Sequence, residues 1–150
     1  MALKEQIDID LKAALLGGDR FKGEVLRGLK AAILNEEVAQ KVRDEGLADE
    51  AIEQLIAREI KKRKDSASQY TAAGRPELSE TELKESAILE LYLPAQASEA
   101  DIQAVVTRVI AETGATGMAQ MGQVIGAVKK ELGNSADGAL VAQLVKNALQ

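Results

Sequence analysis

The stretch Met121 to Gly138, MGQVIGAVKKELGNSADG, sets glycines at 122, 126, 133 and 138 beside the lysine pair 129 and 130. Such a mixture suits either a loop that cradles phosphate or a helix that ends in a basic turn. A phosphate loop of the nucleotide-hydrolysing kind needs GxxxxGK[ST] straight after a buried strand, because its backbone amides must wrap the phosphates before the helix begins. Here the glycine spacing is wrong and no strand pattern comes before it. Gly122 and Gly126 fall i, i+4 on one helical face, and a mid-helix glycine costs about 1 kcal/mol against alanine. A packing role is therefore expected for both, with a neighbouring helix approaching closely. Lys129 and Lys130 then occupy the last helical turn, where cations complement the negative end of the dipole. They also flank a turn whose amides, with Gly133, Asn134 and Ser135, could hold an anion ahead of a final helix capped by Asp137 or Ser135. Lys146 adds a third cation beyond the turn.

The densest basic run is REIKKRKDS, 58 to 66. On a helix Arg58, Lys61, Lys62 and Asp65 share a face, and Glu59–Arg63 and Lys61–Asp65 are i, i+4 pairs of the stabilising kind. The run reads first as a solvated, self-paired face and second as a basic footprint. No aromatic residues interleave it for base stacking.

Other chemistry is excluded by what is missing. The chain has no Cys and no His, which removes disulfides, thiolate nucleophiles, zinc ligation and imidazole acid–base catalysis together. No glycine-rich pocket accompanies the many carboxylates, so neither catalytic residues, nor a metal site, nor a cofactor is expected. Net charge is −5 over 150 residues, which favours neither DNA nor an anionic membrane. Its distribution is uneven: residues 114–150 carry Lys129, Lys130 and Lys146 against Glu131 and Asp137. With no basic leader before an apolar core, and no apolar run near the 18 residues of a membrane span, a cytoplasmic protein is expected.

The elements that must position these residues are helical. Apolar residues at 3, 7, 11, 14 and 15 predict a first helix ending at Gly17-Gly18. Asp19 caps a second, striped by Phe21, Val25, Leu29, Ala32, Ile33 and Val38. Asp49 is the expected cap of a third, with Ile52, Leu55, Ile56, Ile60, Ala67 and Tyr70, up to Gly74. Pro76 opens a fourth, striped by Leu83, Ala87, Ile88 and Leu91, and Pro94 ends it. Ser98 and Asp101 then form a capping-box pattern, and three short helices follow, punctuated by Gly114, Gly117 and Gly133. The expected fold is all-α, with an N-terminal domain of four long helices over 1–94 and a compact three-helix domain over 95–150.

Four blocks in order, VLRGLKAAILNEE (25–37), REIKKRKDSASQYTAAGRPEL (58–78), LELYLPAQ (89–96) and TGATGMAQMGQVIGAVKKELGNSADGALVAQLV (113–145), resemble the GatB/YqeY family, specifically its stand-alone YqeY-like proteins. The resemblance implies a small bacterial all-helical protein whose C-terminal part is similar to the tail of the GatB component of the tRNA-dependent aspartyl/glutamyl amidotransferase, a tail that helps hold tRNA. Gly122, Gln123, Val124, Lys129, Lys130, Gly133, Ala136 and Asp137 match the expected pattern. Where relatives often carry a lysine-bearing turn, this chain has Asn134-Ser135, which implies a weaker grip on RNA. The expected partner is tRNA, and the alternative is a protein partner in a tRNA-linked complex. A carbon–nitrogen ligase using glutamine as amide donor is the weakest alternative, since the catalytic parts of the larger enzyme lie outside the resemblance.

Overall fold

The computed structural model describes residues 2–150, and they are helical as expected. Seven α-helices follow one another: α1 Leu3–Leu16, α2 Arg20–Ala39, α3 Asp49–Ala72, α4 Pro76–Glu90, α5 Glu99–Thr113, α6 Met121–Leu132 and α7 Gly138–Leu149. Single 3-10 turns stand at Met118–Gln120 and Gly133–Ser135, and no strand occurs among the described residues. None of the helices among them is long and apolar enough to cross a membrane. The helices group into two units, the first ending at Leu93 and the second running Pro94–Gln150.

In the first unit, α1 stops where Gly18 takes φ +76 and Asp19 caps α2 by accepting the Lys22 amide at 3.1 Å. The core joins Ile7 and Leu11 of α1, Leu26, Leu29 and Ile33 of α2, and Ile52, Ile56 and Ile60 of α3. Three sequence expectations change here. Phe21 and Val38 lie outside the α2 stripe, 41% and 56% exposed, and Glu37 takes an inward place at 1%. Asp49 does not cap its own helix: Ala48 precedes α3 without a side-chain cap, and the Asp49 carboxylate accepts the Leu3 amide of α1 at 3.0 Å. An exposed α1 N-terminus thus borrows its cap from another helix. In α4, Leu83, Ala87 and Leu91 face solvent, whereas Ser79, Ser86 and Leu89 are buried. The cause is a close α3–α4 hairpin built from small residues: Ala67 is buried opposite, and Thr71 Oγ1 donates to Ser79 Oγ at 2.9 Å. Arg63 reinforces it with an ion pair across to Glu85 of α4 (3.1 Å), while its pair with Glu59 (2.9 Å) stays within α3.

Glu37 ties three segments together. Lys4 Nζ of α1 donates to both carboxylate oxygens at 2.8 and 2.9 Å, and the Leu47 amide donates to Oε2 at 2.9 Å. The hydrogen bond from Lys4 holds the Glu37 carboxyl below its ordinary range against the opposing effect of burial. The chain between α2 and α3 turns at Lys41, φ +61, where the Lys41 and Val42 amides donate to the Val38 and Glu37 carbonyls. This left-handed closure of a helix is normally left to glycine.

In the second unit, Ser98 and Asp101 form the reciprocal capping box that opens α5: the Asp101 amide donates to Ser98 Oγ at 3.1 Å and the Ser98 amide to Asp101 Oδ2 at 3.4 Å. Gly114, φ +69, ends the helix. Val106, Val124, Val128, Val141 and Val145 are fully buried at its centre, and Met118, in the 3-10 turn ahead of α6, is 44% exposed.

Lys4→Met strands the Glu37 carboxylate in the interior, and loss of about 3 kcal/mol in denaturant unfolding is expected, the low end for a broken buried pair because Lys4 is half exposed. The folded-state pKa of Glu37 is depressed, so its stabilisation is present above the ordinary carboxylate range and is lost as pH falls through the lower folded value. Glu37→Gln should flatten that acid limb in a stability-against-pH series. Lys41→Gly, by relieving the left-handed residue, should raise stability by about 1 kcal/mol.

Candidate nucleic-acid interface

The corner between α6 and α7 collects the residues singled out by the sequence. Val124 and Val128 bury one face of α6, and the 3.6-residue period then leaves Gly122, Gly126, Lys129 and Lys130 exposed on the other. The packing role expected for the two glycines is corrected: a Cβ placed on either would meet nothing within 4 Å. They leave a length of helix backbone bare to solvent, and it runs toward the two lysines.

Neither lysine has an ion-pair partner among the described residues. The reason is geometric. Glu131, next in sequence, turns to Arg108 on α5, which also pairs with Glu112 at 3.2 Å. Hydrogen bonding from Arg108 holds Glu131 below the usual carboxylate range and raises the Arg108 guanidinium further. Asp137, the other acid nearby, caps α7 by accepting the Ala139 amide at 3.4 Å. The Lys129 side chain lies over the start of α7, its Nζ 3.2 Å from where a Cβ on Gly138 would stand.

The turn itself is used internally. The Gly133 amide donates to the Lys129 carbonyl, and Ser135 Oγ donates to the Leu132 carbonyl at 2.5 Å. The Asn134 and Ser135 carbonyls accept from Gln96 Nε2 (3.2 Å) and the Ala97 amide (2.7 Å), which fastens residues 96–97 onto the turn. Gly133 and Ser135 therefore support the corner and offer those groups to no ligand. Lys146 sits eight residues along α7 from Gly138, about 12 Å by helical rise, apart from the lysine pair.

The α3 face is largely neutralised. Lys62 pairs with Glu59 at 3.2 Å, Arg63 with Glu59 and Glu85, Lys64 with Glu90 at 2.9 Å, and Arg58 reaches Glu36 at 3.9 Å. The Glu59–Arg63 pair forms as expected, and the Lys61–Asp65 pair does not form among the described residues. Two further features lie outside what the sequence suggests: the buried Glu37, and the α1–α2 cleft beside it. The one local signal for Glu37 is its place four residues after buried Ile33.

A family model described as Yqey-like protein matches residues 4–149. The chain belongs to the YqeY-like family. Among curated proteins it is similar to "Altered inheritance of mitochondria protein 41, mitochondrial" of Lachancea thermotolerans, 34% identical over 105 residues, 69% of this chain and 55% of the relative. The proteins of the same name from Kluyveromyces lactis and Clavispora lusitaniae are 32% and 29% identical, over 69% and 61% of this chain and 56% and 52% of theirs. The chain spans about half the length of these relatives. All three are yeast proteins named as mitochondrial, so the expectations of a bacterial family member and of a cytoplasmic location are corrected by these relatives.

Because Gly122 and Gly126 have ordinary helical backbones with open space around them, Gly122→Ala and Gly126→Ala should each stabilise the protein by roughly 0.5–1 kcal/mol. Chemical denaturation reads the change, and a loss of stability would mean that a neighbour does use the glycine space.

Proposed function

We propose that the C-terminal unit docks folded, tRNA-shaped RNA at the α6–α7 corner, as a binding module without catalysis of its own. The observation that carries this reading is the bare stretch of α6 leading to two uncompensated cations. A phosphate backbone can approach helix backbone at Gly122 and Gly126 with no side chain in the way, and Lys129 and Lys130 stand where it arrives. Specificity comes from RNA shape and phosphate spacing, since no aromatic platform accompanies the lysines. With about two phosphate contacts the affinity is modest and falls steeply with salt. The unit is read as a domain in its own right over 95–150, and residues 1–94 as its helical companion.

A second reading is a protein-interaction module or accessory component of a tRNA-linked complex. It draws on α4, whose Leu83 (49% exposed) and Leu91 (74%) turn outward while serines pack inside.

Filter binding with total tRNA at low salt tests the first reading. Retention is expected, and Lys129→Glu with Lys130→Glu should abolish it, while neutral substitutions should lower the slope of log K against log salt by about 2. Gly126→Leu should weaken retention without lowering the melting temperature. Absence of retention, or retention unaffected by the charge reversals, overturns it. A partner recovered by pull-down after RNase treatment and lost in Leu83→Glu/Leu91→Glu would favour the second.

A further inference from the structure

Helix α1 is apolar on two opposite sides. Ile7, Leu11 and Ala14 are buried against the rest of the first unit. The helical period turns the N-cap Ala2, Ile9 and Leu16, each seven residues from the next, to the other side, where Ile9 is 47% exposed, Leu16 91%, and Ala2 is open as well. A surface helix ordinarily keeps its outer side polar, and apolar residues on both sides mark a helix that is covered. Beside this apolar row runs a charged one, Glu5 and Lys12, again seven residues apart and both exposed. The other charges of α1 are used within the unit: Lys4 pairs with Glu37, Asp8 pairs with Lys30, and Asp10 accepts a hydrogen bond from Tyr92. Glu5 and Lys12 have no ion-pair partner among the described residues.

The two rows together are complementary to themselves. A two-fold axis that sets one α1 antiparallel on another at Ile9 brings the two Ile9 side chains together and lays Leu16 of each copy on the small Ala2 of the other. Glu5 stands four residues before that axis and Lys12 three residues after it, so Glu5 of one copy comes level with Lys12 of the other to within about 1.5 Å of helical rise. The symmetry makes the contact twice. A parallel pairing would set Glu5 against Glu5 and Lys12 against Lys12 instead. We propose that the outer side of α1 pairs with the same side of a second copy of this chain, antiparallel about Ile9. A lipid surface fits less well: α1 carries Lys4 and Lys12 against Glu5, Asp8 and Asp10, whereas interfacial helices are rich in basic residues. One 14-residue helix offers about 21 Å of contact and falls short of the roughly 1,200 Å² of a stable interface. The dimer is therefore weak, with a Kd on the order of 0.1–1 mM, and the charges decide its orientation more than its strength.

Sedimentation equilibrium of the full chain at low salt, from about 20 µM to about 2 mM so as to span that Kd, tests this. The weight-average mass should climb from 16.0 kDa towards twice that value. Leu16→Glu, at a position open to solvent, should keep the melting temperature and abolish the rise. Glu5→Lys and Lys12→Glu each put two like-charged contacts into the dimer and should weaken it about 10-fold. Mixed in equal amounts, these two variants regain both opposite-charge contacts, and the mixture should associate as strongly as the unaltered chain. A mass of 16.0 kDa at every concentration, association that persists in folded Leu16→Glu, or a mixture no stronger than either variant alone overturns the proposal. So does binding to phosphatidylglycerol vesicles, lost in Leu16→Glu, by a chain that does not self-associate, which would assign the outer side of α1 to lipid.

Discussion

A carboxylate that cannot reach water organises the first unit. Glu37 lies at the end of α2, and its oxygens are shared between the first turn of α1, through Lys4, and the connection into α3, through the Leu47 amide. A buried charge persists only if it is paired and hydrogen-bonded, so all three segments must hold their places at once. Gly46, φ +80, lies close enough that a Cβ there would come within 3.2 Å of Oε2. The adjacent cap from Asp49 to the Leu3 amide repeats the connection in a second bond. Hydrophobic burial supplies the bulk of the folding free energy, but it is non-directional. This carboxylate specifies how α1, α2 and the start of α3 meet.

The second unit uses charge differently. Its core is nearly all valine and leucine, and its ionic contacts lie at the surface, where their contribution to stability is small. What the Arg108–Glu131 pair does decide is where positive charge is left over. By holding the one acid adjacent to Lys130, Arg108 leaves both lysines of the α6 end facing solvent without a counter-ion from the same unit.

Much of the fold is legible in the sequence because helices announce themselves by period and punctuation. Gly17-Gly18, Gly74, Pro76, the Ser98–Asp101 box and Gly114 all mark boundaries that the structure places where the sequence implies them. Failures arise where an apolar count stands in for a buried face. On α4 the leucines draw the eye, but hairpin closeness rewards small side chains, so Ser79 and Ser86 turn inward. On α6 two glycines suggest a packed neighbour, whereas none comes near them among the described residues. At Asp49 the residue type is right for a cap, and the amide it satisfies belongs to a helix 46 residues earlier. Contacts of that separation leave no local pattern. The same holds for the α1–α2 cleft, whose charged residues come from positions 4, 8, 30 and 37.

The α3–α4 hairpin carries a consequence for the cooperativity of unfolding. Between Ile60 and Leu89 its buried residues are only Ala67, Ser79 and Ser86, and the Ser86 hydroxyl finds no partner among the described residues. Little apolar surface is removed from water there, and most of what binds the two helices is polar and near solvent. Opening free energies vary across a protein with local apolar contact, so the distal hairpin is expected to open at lower free energy than its base, which Ile56, Ile60 and Leu89 anchor. Its amides are therefore expected to exchange with solvent hydrogen through partial opening, ahead of those of α2 and the start of α3.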